Sequence, residues 1–107
     1  MGQSIELSGL SGQSYRYTHL ADETAVPSQA ANVVVAEHRR GRWRIFYVSQ
    51  TDYLPRNDWR PILDQIRARI PQVQLLYRLN IAHAVREAEA EDIRQLHQPL
   101  AEPAEAA

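Results

Sequence analysis

The sequence predicts a small α+β domain in which a mixed sheet, starting with a β-hairpin, is covered by helices. Two apolar runs, Asn32–Glu37 and Trp43–Val48, flank a short polar turn that contains Gly41, and this is the pattern of a hairpin. Trp59, Ile62, Leu63, Ile66 and Ile70 then recur at helical spacing, and a further apolar run, residues 73–79, follows Pro71. A second helical segment, residues 81–97, ends just before Pro99.

The elements can be justified in order. Residues 1–14 are rich in Ser, Gly and Gln and read as a flexible N-terminal arm, or at most a short edge strand. The single domain runs from residue 15 to 99. Residues 15–19, YRYTH, alternate aromatic and polar side chains, the period of a strand. The loop ADETAVPSQAA carries Pro27 as punctuation. In the hairpin, residues 38–42, HRRGR, form the turn, with Gly41 supplying permissive backbone angles. The first helix takes Asn57 or Asp58 as its cap, holds Pro61 in its first turn and stops at Pro71. Asn80 caps the second helix. Residues 100–107, LAEPAEAA, read as a disordered tail.

Composition narrows the function. Twelve basic and thirteen acidic residues nearly cancel in 107 residues, so nucleic-acid binding would have to come from a local patch rather than from net charge. With no cysteine, disulfides, thiolate zinc sites and thiol nucleophiles are excluded, which fits a cytoplasmic setting. No apolar run approaches the roughly 20 residues that span a bilayer, and the N-terminus lacks the charged start and apolar block of a secretory signal. No membrane partner is expected. The four histidines do not fall at metal-binding spacing.

Two features stand out. On a helical wheel, Ile81, Ala82, Val85, Ala88, Ile93 and Leu96 spread over one face, and Glu89 falls near its middle. A carboxylate on an apolar face is costly unless it is paired or reaches a wet pocket. The structural reading is an ion pair with an arginine. The functional reading is a ligand to a hard divalent cation such as magnesium. The second feature is the turn itself. Arg39, Arg40, Arg42 and Arg44 surround Trp43, a mixture suited to phosphate contacts and base stacking, although charged turns also serve solubility alone.

The succession of strand NVVVA, basic turn, strand FYVSQTDYLPR, helix, strand VQLLYRL and helix REAEAEDIRQLHQP resembles the GIY-YIG nuclease superfamily over residues 31–100. Tyr47-Val48-Ser49 occupies the place of the family's YIG, Ala31-Asn32-Val33 that of its GIY, and Arg56 follows Tyr47 by nine positions. The family glutamate matches Glu89 by helical face, whereas counting back from Pro99 reaches Ala90. The final glycine, the first tyrosine and the closing asparagine of the pattern are absent, and Tyr15 or Tyr17 would have to replace that tyrosine.

The resemblance implies phosphodiester hydrolysis with one magnesium or manganese ion held by Glu89. It implies that Tyr47 acts on the attacking water and that Arg56 neutralises charge on the phosphate. Nucleic acid, DNA rather than RNA, would be the substrate. The same resemblance allows a second reading: a catalytically inactive module of that fold that binds nucleic acid or protein through the basic hairpin. Taken singly, Tyr47 also reads as a core residue, Arg56 as a solvated loop residue, and the whole chain as an unrelated α+β module.

Overall fold

A computed structural model describes residues 4–98. Its elements are β1 (Ser4–Ser8), β2 (Ser14–His19), β3 (Ala31–Arg39), β4 (Arg42–Thr51), a 3-10 turn (Leu54–Arg56), α1 (Arg60–Arg69), β5 (Gln74–Leu79) and α2 (His83–His97). The α+β class and a sheet built around the β3–β4 hairpin are as predicted. The sheet is not mixed, however. Its five strands lie in the order β1-β2-β5-β3-β4, and every neighbouring pair is antiparallel. The α1 crossover makes β4 and β5 parallel to each other, but β3 lies between them and pairs with both. No parallel ladder forms.

In the N-terminal segment the second of the two readings holds and the flexible arm does not: β1 is a short edge strand that pairs with β2 from Ser4↔Thr18 to Ser8↔Ser14. Ile5 and Leu7 are buried while Ser4, Glu6 and Ser8 face water, a clean period of two. Ser- and Gly-rich composition masked that alternation. The tail expected at 100–107, like residues 1–3, lies outside the described residues.

The sheet is buried on both faces. One face carries Val33, Val35, Tyr47 and Leu75 against Trp59, Ile62 and Leu63 of the α1 region. The other carries Val34, Ala36, Val48 and Leu76 against Ala90 and Ile93 of α2. This is why residues 31–37 are all buried and why positions 33–36, VVVA, read as an unbroken apolar run instead of an alternating one. Between Val35 and Ala36 the register slips: Val35 faces Tyr47 and Ala36 faces Ile45, leaving Phe46 as the extra residue of a β-bulge. Phe46 and Tyr47 consequently share the α1 face.

The start of α1 is set by packing. Its N-cap is Trp59, which makes no side-chain cap, and not Asn57 or Asp58. The Trp59 indole donates to Leu54 O at 3.0 Å and is itself buried, so burying the ring takes precedence over a side-chain cap. Asn57 instead takes a left-handed conformation, φ +62°, at the end of the 3-10 turn. Asp58 accepts from Thr51 Oγ1 at 3.2 Å.

The β3–β4 turn consists of Arg40 and Gly41, at φ +53° and +75°, inside the closing pair Arg39↔Arg42. Positive φ at both central residues is the type I′ geometry whose twist matches the flanking strands. Gly41 suits it, but Arg40 carries a Cβ where Asn or Gly is less strained. Arg40→Asn is expected to raise the unfolding free energy by about 0.5–1 kcal/mol, read by urea denaturation. Loss of stability in that variant would show that the Arg40 side chain supports the fold.

Candidate nucleic-acid interface

Cross-strand pairing places the side chains of the tip. Arg39↔Arg42 and Glu37↔Arg44 share one face of the ribbon, and His38↔Trp43 shares the other. Arg39, Arg40, Arg42 and Arg44 are exposed. Among the described residues, none of them has a carboxylate within 4.0 Å. The hairpin's own acid, Glu37, is buried and accepts from Gln72 Nε2 at 2.5 Å. Trp43 is half-buried, its ring centroid 4.9 Å from that of His38, and the Arg44 guanidinium lies 5.3 Å from the Phe46 ring. Residues 39–40 and 42–45 line, with His97 and Gln98, an open cavity of about 780 Å³; by register Trp43 and Ile45 turn to this α2 side, and Arg39, Arg42 and Arg44 to the α1 side, where Arg44 lies over Phe46. This surface can offer guanidinium donors to phosphates and an indole to a base.

The three residues expected to act as a catalytic set are not brought together. Tyr47 is buried in the core on the α1 face. Glu89 belongs to α2, which covers the opposite face through Ala90 and Ile93. Arg56 is exposed in the 3-10 turn beyond β4. Glu89 instead takes up Arg78 of β5, with Nε–Oε1 at 2.9 Å and Nη2–Oε2 at 3.4 Å. Both carboxylate oxygens are engaged, so a magnesium or manganese ion would have to displace the guanidinium. Among the described residues no three His, Asp or Glu side chains converge on one point, and Glu89 in this pairing does not fit a metal ligand.

Tyr15 and Tyr17 do approach Glu89, as the motif comparison required of a substitute tyrosine, but in the wrong electrostatic state for a base. The Tyr15 hydroxyl donates to Asp92 Oδ2 at 2.7 Å, and that hydrogen bond raises its pKa, with burial and the Asp92 and Glu89 charges adding to it. Tyr17 is fully buried, its pKa is raised by burial and by the Glu89 charge, and its hydroxyl has no partner among the described residues. A general base works best with a pKa near the working pH. Both phenols are moved away from it.

The wheel reading of α2 is also corrected. Its buried residues are Arg86, Ala90 and Ile93, whereas Ile81, Val85 and Leu96 are exposed. Ala90, the position reached by counting back from Pro99, is the one that faces the sheet. Arg86 escaped the sequence reading altogether. It is 1% exposed, and its guanidinium donates to Gln50 Oε1 at 2.9 Å, Asn80 O at 2.8 Å and Asp52 Oδ1 at 2.5 Å. Its own carbonyl accepts from the buried Asn32 side chain at 2.9 Å. On the exposed rim, His83 lies 3.6 Å from Asp52 and 3.1 Å from Glu87. The polar run Ser49–Asp52 that follows the core strand thus has a structural role, supplying two acceptors that hold α2.

Asp92 fixes the other end of the sheet. It accepts from Ser11 N at 2.8 Å and Ser11 Oγ at 2.6 Å besides Tyr15. A Cβ on Gly9 would overlap this carboxylate. The hydrogen bonds from Ser11 and Tyr15 lower the Asp92 pKa.

Comparison of the chain with protein-family models, curated proteins and solved structures gives no match. The class defined by fold and surface is a small antiparallel α+β domain with a basic hairpin tip that has no acidic partner among the described residues.

The polar contacts of α2 have measurable consequences. Arg86→Ala is expected to destabilise the domain by about 3 kcal/mol, because truncating a fully buried side chain leaves a cavity and takes the donor from the part-buried Gln50 and Asn80 oxygens. Asp52→Asn should cost under about 1 kcal/mol, because its solvated side chain screens the pair. Equal effects in chemical denaturation would contradict this assignment. The pH dependence has a definite sign. A depressed Asp92 pKa stabilises the fold above the unfolded value, about 3.9, and that contribution is lost as pH falls through the folded value. Thermal unfolding between pH 5 and 2 should therefore show a smaller acid destabilisation in Asp92→Asn than in the parent.

Proposed function

We propose that this domain binds nucleic acid through the tip of the β3–β4 hairpin, and that it acts as a binding module and not as a metal-dependent nuclease. The observation that carries this reading is the group of four exposed arginines around Trp43, without an acidic partner among the described residues, in a chain whose net charge is only −1. Arg40 supports it further: a cationic side chain occupies a left-handed turn position, φ +53°, where a smaller residue would be less strained. Arginine on phosphate and indole on an unstacked base are compatible with single-stranded ends or loops as well as duplex. DNA is the first partner to try. Cleavage is disfavoured because Tyr47, Arg56 and Glu89 occupy separate places and Arg78 holds the Glu89 carboxylate.

The test is binding of labelled single-stranded and duplex DNA, followed by fluorescence anisotropy across a salt series, with the parent and an Arg39→Gln/Arg40→Gln/Arg42→Gln/Arg44→Gln variant. The parent should bind more weakly as salt rises. The variant should bind less tightly, and its log K against log salt slope on duplex should flatten by up to about 3.6 if all four arginines meet phosphates. Chelator and Glu89→Gln should leave binding unchanged. Equal affinity of parent and variant would refute the tip as the interface. Magnesium-dependent cleavage that disappears in Glu89→Gln would restore the nuclease reading.

A further inference from the structure

The strand register divides the hairpin tip into two unlike sides. His38, Trp43 and Ile45 turn towards α2, whereas Arg39, Arg42 and Arg44 turn towards α1. The indole and these three guanidinium groups stand on opposite sides of the ribbon. A nucleic-acid strand whose phosphates follow the three arginines thus meets its apolar surface on the α1 side and not at Trp43.

Such a surface exists there. Phe46, Ile62, Ile66 and Ile70 line a groove of about 460 Å³ between α1 and β4, the outermost strand of the sheet. That volume falls in the range of small-molecule sites, roughly 300–1,000 Å³. Phe46 and Ile62 are buried, Ile66 and Ile70 are half-buried, and Gln65, Ala68 and Arg69 are its exposed members. Arg44 brings the arginine row to the same place, its guanidinium 5.3 Å from the centroid of the Phe46 ring. Among the described residues no carboxylate lines the groove, and neither Arg44 nor Arg69 has one within 4.0 Å.

We propose that the tip binds single-stranded nucleic acid along the α1 side of the hairpin, with phosphates on Arg39, Arg42 and Arg44 and one unpaired base in the groove between Phe46 and α1. This rests on the nucleic-acid reading above and adds to it the form of the ligand and the place of its base. An apolar groove alone suits any greasy side chain. Flanked by guanidinium groups, it suits a flat, largely apolar group carried on an anion, and a nucleotide has that composition. The Gln65 amide offers a donor and an acceptor to the polar edge of a base. Bases of a duplex are paired and stacked inside the helix, so only an unpaired one can turn into the groove.

The experiment uses the full chain and its Gln65→Leu/Ala68→Leu variant, which fills the groove without changing charge at two exposed positions of α1. Three labelled ligands are compared by anisotropy at one salt concentration: a single DNA strand, an abasic strand of the same length, and the matched duplex. Amide spectra by NMR report on residues 65–70. The parent should bind the intact strand about fivefold or more tightly than the abasic one, and only the intact strand should shift the signals of residues 65–70. The variant should lose that advantage while keeping the affinity of the parent for the abasic strand and the duplex. Equal affinity of the parent for intact and abasic strands, or unmoved signals at 65–70 with DNA bound, overturns the groove and leaves the nucleic-acid reading intact. A preference for the intact strand that survives in the variant also overturns the groove. No binding of any of the three ligands by the parent overturns the nucleic-acid reading itself, and the groove proposal with it.

Discussion

The seating of α2 on the sheet rests on the buried guanidinium of Arg86. This group joins the end of β4, through Gln50 and Asp52, to the β5–α2 connection, through the Asn80 carbonyl. A buried cation is tolerated only when its donors are met, and here each guanidinium nitrogen has a partner. Because those partners are directional, they fix the rotation of α2 about its axis as well as its position. Further polar contacts follow along the same helix: Glu89 on Arg78 of β5, and Asp92 on Ser11 and Tyr15 of the β1–β2 hairpin. The apolar part of the α2 contact is small, chiefly Ala90 and Ile93, so ordinary greasy packing alone would not have selected this face.

The rest of the sheet follows from that arrangement. With α2 on one face and α1 on the other, β3 is buried on both sides and becomes the central scaffold, paired with β4 and β5. The bulge at Phe46 places two successive large side chains on the α1 face, and extra residues of this kind bend and twist a strand locally. Beyond the bulge the hairpin runs out to a tip whose side chains are almost all exposed. The acids of the domain are largely committed elsewhere: Glu23 bridges Arg60 and Arg67, Glu89 holds Arg78, and Glu37 is buried under Gln72. Among the described residues the arginines of the tip have no local counter-charge, which is how a nearly neutral chain presents a cationic surface.

The polar loop after β4 shows how the same letters carry different meanings. Ser49-Gln50-Thr51-Asp52 followed by a lone arginine invites a catalytic interpretation when read along the chain. In three dimensions Gln50 and Asp52 are acceptors for Arg86, Thr51 bonds Asp58, and Arg56 stays in solvent. Glu89 is likewise no isolated carboxylate on an apolar face. Its partner, Arg78, comes from β5, eleven residues earlier in the chain, and nothing in helical periodicity could disclose it.

Pattern alone settles several things here: the α+β class, the β3–β4 hairpin and its basic tip, and the extents of α1 and α2 to within a few residues. These depend on local period, turn chemistry and proline punctuation, which act between near neighbours. Even β1 was legible in the alternation of Ile5 and Leu7, although composition concealed it. Other features depend on contacts between distant segments. They include the insertion of β3 between β4 and β5, the choice of Arg86, Ala90 and Ile93 as the buried side of α2, and the separation of Tyr47 from Glu89 by the thickness of the sheet. An amphipathic wheel ranks faces by hydropathy, so it sets aside an arginine that becomes fully buried once Gln50, Asp52 and Asn80 assemble around it. That assembly exists only in the folded chain, because its members come from β4, the β5–α2 connection and α2 and meet nowhere along the sequence.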